Sequence, residues 1–332
     1  MWFLCAGLLL TLAAFCADLA TGSVPVSVAE VLAALTGGQC SDAVSRIVLT
    51  FRLPKALTAL LAGAALGASG LQMQTLFRNP LAGPYVLGIS SGAMLGVALL
   101  LLGAPLLGSG TGLLRDLGIA GAAWIGAAAV FMIVTAVSRR VKDIMVILIL
   151  GMMLGSVAGA LVDVLQYVSA ESAVKRFVVW TMGSLGGVTV SQVALMAPVV
   201  TAGLLLALLT VKPLDMLLLG EDYARSAGLD ISRSRAAVMV STTLLAGTVT
   251  AFCGPIGFLG LAVPHLARMI LCRAGHRQLM PASMILGSLT MLLCDMASQL
   301  PGHGMALPIN TVTALVGIPV IVAVIVRNRN IL

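Results

Sequence analysis

Apolar runs of about 20 residues, free or nearly free of charge, recur along almost the whole sequence, and no other property constrains the fold as strongly. As a helix, such a run crosses about 30 Å of hydrocarbon. Only 9% of the 332 residues are charged, and mean hydropathy is +1.10. A water-soluble core of this size needs a charged shell, and these charges are too few to build one. The apolar segments are continuous rather than alternating, which excludes a membrane β-barrel. The sequence predicts an all-α polytopic membrane protein.

Spans are expected at about 2–19, 56–77, 87–107, 117–138, 144–167, 193–211, 236–253, 256–271, 279–298 and 307–326. The first resembles a secretory leader, but it has no basic start and is read as a retained span. An even count places both termini on one side. Thirteen Lys and Arg fall in one set of loops, from Arg78 through Arg139, Arg140 and Lys142 to Arg327 and Arg329. Six, namely Arg46, Arg52, Lys55, Arg115, Lys175 and Arg176, fall in the other. The positive-inside bias therefore predicts cytoplasmic termini. The same scatter argues against nucleic acid as the partner of the +7 net charge, and membrane lipid is the expected surroundings.

Glycine repeats suit close helix packing: Gly63 and Gly67, then Gly88, Gly92 and Gly96, then Gly151, Gly155 and Gly159. Four-residue spacing forms a smooth groove for a neighbouring backbone. Polar groups in or beside the spans are few: Gln72, Gln74, Asp163, Gln166, Asp295 and Gln299. Asp163 and Asp295 fall near the outer ends of their spans, where interfacial water or a helix-capping role is expected rather than ion coupling. Six cysteines without ligand spacing, and the dispersed His265, His276 and His303, predict neither a disulfide framework nor a metal site. No Walker A motif, nucleophile elbow, HExxH or Rossmann fingerprint occurs. The chain is expected to be no enzyme and to bind no cofactor.

One interruption carries more information than the runs around it. Residues 78–93 read RNPLAGPYVLGISSGA. Asn79-Pro80 stops the second span, because a residue before proline is pushed out of the helical region. Pro84 delays the next helix until the glycine repeat begins.

The block RLPKALTALLAGAALGASGLQMQTLFRNPLAGPYVLGISSGA (52–93) resembles the signature of the FecCD-type permeases. LGEDYARSAGLD (219–230), GPIGFLGLAVPHLAR (254–268), TVTALVGIPV (311–320) and WTMGSLGGV (180–188) are similar to the family pattern in the same order. The resemblance implies one transmembrane permease domain over 1–332, of about ten helices, in a type II ABC importer for ferric siderophores, haem or cobalamin. It implies a second permease subunit, most simply an identical copy, two separate ATPase subunits that carry the ATP, and a periplasmic or lipid-anchored binding protein. It places the chain in a bacterial cytoplasmic (inner) membrane.

The resemblance also assigns roles. The cytoplasmic loop at about 212–235 is expected to hold the ATPase-coupling helix: Leu219, Gly220, Glu221, Asp222, Tyr223, Ala224, Arg225 and Gly228. Its charges suit directional pairing, Tyr223 and Leu219 suit apolar anchoring, and Gly228 suits a left-handed cap. Arg52 and Lys55 match an outward-facing basic pair for docking the binding protein, against the plainer reading of interfacial snorkelling. Asn79 and Leu81, with Ile144 and Met145 after Asp143, match the cytoplasmic gate. Met73, Met94, Met152 and Met153 suit either core filling or pathway lining, with filling the simpler reading. Gln299 and the segment Ala306-Leu307-Pro308-Ile309-Asn310 depart from the family pattern at the outer surface. The competing function is an ion-coupled secondary transporter, which needs a mid-membrane acidic site and no coupling loop.

Overall fold

The computed structural model describes residues 2–22, 24–38, 40–103, 112–138, 140–141, 143–271, 274–300 and 306–327. Of the residues named or counted above, Arg139, Lys142, His303 and Arg329, one of the six cysteines (Cys272) and one of the thirteen basic residues (Arg273), with the side chains of Arg115 and Arg327, lie outside the described residues.

Helices follow one another as α1 (Trp2–Ala20), α2 (Val28–Thr36), α3 (Asp42–Arg46), a π-helical stretch (Ile47–Arg52), α4 (Leu53–Leu76), α5 (Ile89–Leu101) and α6 (Gly112–Ser138). Then come α7 (Ile144–Val168), α8 (Glu171–Thr181), α9 (Val190–Leu209), α10 (Val211–Leu218), α11 (Glu221–Ser226), α12 (Ile231–Cys253), α13 (Leu259–Ile270), α14 (His276–Ser298) and α15 (Ile309–Arg327). No strand occurs among the described residues. Among the described residues, seven helices are long and apolar enough to cross a membrane, and three shorter apolar ones, Ile89–Leu101, Leu259–Ile270 and Ile309–Val324, fall on the other three expected segments.

The second span begins earlier than its hydropathy suggests. Asp42–Leu76 is one continuous helical run of 35 residues. Arg46, Arg52 and Lys55 break the apolar run in the sequence, and Pro54 suggests a helix start. The wide turns of Ile47–Arg52 lead directly into Pro54, which lacks a donor and would crowd the carbonyl of an ordinary preceding turn. The short helices α2 and α3 are capped locally, by Ser27 and Ser41. In α2, Ser27 and Glu30 form a reciprocal capping box, and the Ser27 N–H and hydroxyl hold the Glu30 carboxyl below its ordinary range.

Helix α4 is the hub, packed against α9, α12, α13 and α14. The apolar stretch of α12 is 67% buried within the chain and that of α7 only 17%, so α12 is interior and α7 peripheral. Glycine sets the closest approaches. Gly63 of α4 lies against the backbone of Gly287 in α14, and Gly92 of α5 against that of Gly126 in α6. A Cβ at either would overlap a carbonyl oxygen. Gly151 of α7 packs on the backbone of Val86 and Leu87, whereas Gly159, expected in the same groove, faces open space. Met73 fills the core, while Met152 and Met153 are exposed on α7.

Candidate coupling and gate site

Helices α10 and α11 lie at the end of the bundle that carries Arg78, the start of α12 and the start of α14. Gly220, at φ +119°, turns the chain between them in a region comfortable only for glycine. Ala224 is fully buried and anchors α11, which leaves Leu219 and Tyr223 67% and 55% exposed. Asp222 and Arg225 also face outward. Glu221 does not: its carboxylate pairs with the Arg235 guanidinium of α12. Gly228, at φ +85°, closes the helix, its N–H bonding the Arg225 carbonyl (3.0 Å) while the Leu229 N–H bonds that of Ala224 (2.9 Å). That pair of bonds is the Schellman cap. Of the expected coupling residues, Leu219, Asp222, Tyr223 and Arg225 thus share an apolar and charged outer face, while Ala224 and Glu221 turn inward.

The same cap recurs at the end of α4 with an unusual residue in it. Arg78 sits at φ +47°, its N–H bonds the Thr75 carbonyl (3.2 Å), and the Asn79 N–H bonds that of Gln74 (3.1 Å). A left-handed non-glycine residue costs about 1–2 kcal/mol. The Arg78 guanidinium also donates to the Leu217 carbonyl of α10 (2.9 Å). Beyond the cap, the Asn79 side chain accepts the Leu81 N–H (2.9 Å), and the His265 ring meets the Pro80 carbonyl (2.8 Å). Pro84 lies against Gly260 of α13, and helix resumes after Gly88. Of the expected gate residues, Asn79 and Leu81 therefore share one turn. Ile144 and Met145 begin α7, where the Asp143 carboxylate accepts the Met145 N–H (2.8 Å). Leu81 and Met145 are exposed, and Ile144 is half-buried.

Between the two groups runs a set of polar contacts that the sequence reading missed. The Gln72 amide donates to Thr210 (3.0 Å), and its carbonyl lies within reach of the Ser241 and Thr242 hydroxyls of α12 (3.1 and 3.2 Å). Thr75 lies 2.7 Å from Nε2 of His276, whose Nδ1 is 2.6 Å from the Asp215 carboxylate of α10. The His276 N–H reaches the same oxygen (3.0 Å). With Nδ1 facing the carboxylate, the ring proton belongs on Nδ1, and the neutral ring leaves Nε2 to accept from the Thr75 hydroxyl. The available signal was the three-residue spacing of Gln72 and Thr75, with Arg78 three further on.

At the opposite end the structure corrects the expectation of an exposed basic pair. Arg52 is 6% exposed, and its guanidinium donates to the carbonyls of Leu19 (2.8 Å), Ala20 (2.9 Å) and Val24. Lys55 sits 2.7 Å from Asp295 and 4.0 Å from Asp18, both buried carboxylates. Burial satisfies these cations internally, because an ion in a low-dielectric interior needs a partner. Asp295 is corrected with them: it meets a lysine rather than interfacial water. Asp163 is exposed. Lys55, Asp295, Gln299 and Ala306 to Ile309 line a cleft of about 340 Å³. Asn310, a departure from the family pattern, accepts the Gly257 N–H (2.9 Å) and so fixes the break between α12 and α13.

A bundle of apolar helices packed on one hub, with a short capped helix presented at one end and a helix break just after the second span, is the form of a multi-pass membrane protein. The chain belongs to the FecCD transport family, whose model matches residues 9–327. It is 34% identical to the hemin transport system permease protein HmuU of Yersinia pestis over 294 residues, 87% of this chain and 86% of that one. It is 38% identical to the vitamin B12 import system permease protein BtuC of Klebsiella pneumoniae over 279 residues, 84% of this chain and 82% of that one. A solved metal-chelate type ABC transporter in an inward-facing conformation superposes with a TM-score of 0.84 at 28% identity, covering 98% of this chain and 99% of its own.

Proposed function

We propose that the chain is the membrane-spanning subunit of an ATP-driven importer that moves a metal chelate, a ferric siderophore or haem ahead of cobalamin, from a binding protein into the cytoplasm. Two copies form the pathway, and two ATPase subunits bind the end that presents α11. The termini lie on that cytoplasmic side of a bacterial inner membrane. The chain binds no cofactor; ATP belongs to the ATPase. The observation that carries this reading is α11 itself, a capped helix that holds Leu219, Tyr223, Asp222 and Arg225 clear of the subunit. ATP-driven closure of the ATPase pair would displace α11 and shift the balance between outward- and inward-open states, by ATP's differential affinity for the two.

Docking of the binding protein rests on the outer surface as a whole, since Arg52 and Lys55 spend most of their charge inward. The buried acids Asp18 and Asp295 lie beside Lys55 at one end of the bundle, so they do not make the mid-membrane acidic site an ion-coupled carrier needs. The test is reconstitution of the chain with its cognate ATPase and binding protein in liposomes, with haemin, ferrichrome and cyanocobalamin as probes. ATP-dependent uptake of one probe is expected. Uptake without ATP that follows an imposed ion gradient overturns the proposal in favour of a secondary transporter.

A further inference from the structure

The end of α4 is tied to the coupling segment three times within seven residues. Gln72 meets Thr210, Thr75 meets Asp215 through His276, and Arg78 meets Leu217. All three partners fall in 210–217, just before α11 begins at Glu221. The α4 partners end at Arg78, one residue before the Asn79–Leu81 turn. A second route joins the same points: Glu221 of α11 pairs with Arg235 of α12, and Ser241 and Thr242 of α12 reach Gln72.

These contacts are buried where apolar packing would be cheaper. Gln72, Thr75, Thr210, Ser241, Thr242 and His276 are each at most 2% exposed. Buried polar groups must keep their partners, so the hydrogen bonds have one strongly preferred geometry. Directional bonds of this kind transmit displacement, whereas apolar contacts let helices slide. His276 is the junction, because it joins three helices through its two ring nitrogens and its backbone N–H.

We propose that this polar seam, with His276 and Thr75 as positioning residues, carries the movement of α11 to the Asn79–Leu81 turn and so couples ATP hydrolysis to gate opening. The proposal rests on the importer reading above. It predicts that cutting the seam leaves the ATPase running while transport fails. It further predicts that cutting a side-chain bond to α4 away from the seam does not. Ser288 supplies that control, since its hydroxyl bonds the Leu60 carbonyl between α14 and α4, far along α4 from the seam.

The test uses the full reconstituted complex and measures uptake per ATP hydrolysed, with whichever of haemin, ferrichrome or cyanocobalamin the unaltered chain imports. Thr75→Val keeps the side-chain shape and removes the hydroxyl. Asp215→Ala cuts the seam at a half-exposed carboxylate, a position that tolerates truncation if Thr75→Val fails to fold. Both should lower the ratio by about fivefold or more, the scale of an ordinary coupling energy, with hydrolysis at or above the unaltered rate. Thr75→Ser should restore it. Ser288→Ala should lower thermal stability with the ratio unchanged. A normal ratio in Thr75→Val and Asp215→Ala, or an equal fall in Ser288→Ala, overturns the seam alone. Absence of ATP-dependent uptake by the unaltered chain overturns the importer reading and the seam with it.

Discussion

Two cations show how single residues resist being read from sequence. Arg78 looked like a membrane-edge charge; it occupies a left-handed cap where glycine is normal, and its guanidinium bonds α10. Comparing Arg78→Gly with Arg78→Ala separates the two effects, since both lose the bond but only alanine keeps the backbone strain. The glycine variant should be the more stable by about 1 kcal/mol, read as a higher melting temperature in detergent. Equal melting would remove the strain argument. Lys55 looked like an outer-rim charge, and it pairs instead with the buried Asp295, with Asp18 4.0 Å away. Lys55→Met strands the buried Asp295 carboxylate and should cost about 3–5 kcal/mol in thermal unfolding, with part of the loss recovered on adding Asp295→Asn. A loss under about 1 kcal/mol would mean that the lysine is solvated. Neither role was legible, because both partners lie far away in the chain: a hydropathy pattern records what a residue is, not what it meets.

Elements were far more legible. Among the described residues, long apolar runs announced the seven helices long enough to cross a membrane and the three shorter apolar ones, and the Asn79-Pro80 stop lies where α4 ends. Gly228 was readable as a cap because a left-handed helix end favours one residue type above all others. The early part of the second span was hidden, since charged residues and Pro54 interrupt its hydropathy while the helix continues through π turns. Short amphipathic helices such as α8 and α10 were hidden for a related reason: each depends on tertiary packing and not on a long apolar run. The glycine repeats gave the right kind of contact but not its partner. Gly63 meets Gly287, which no local spacing reveals, and Gly159 meets nothing.

For the whole molecule, class followed from the scarcity of charge, and family from motifs in fixed order. What joins the motifs is visible only in three dimensions. The presented helix α11, the capped end of α4 and the buried contacts between them form one continuous structure, and the account holds that this structure receives force from an ATPase. The most direct measurement is a photo-crosslinking residue placed at Tyr223, 55% exposed on α11, in membranes that contain the assembled transporter. The account predicts a covalent adduct with the ATPase subunit, lost when the ATPase is omitted. An adduct with the binding protein, or none with the ATPase in a complex that hydrolyses ATP, would contradict it.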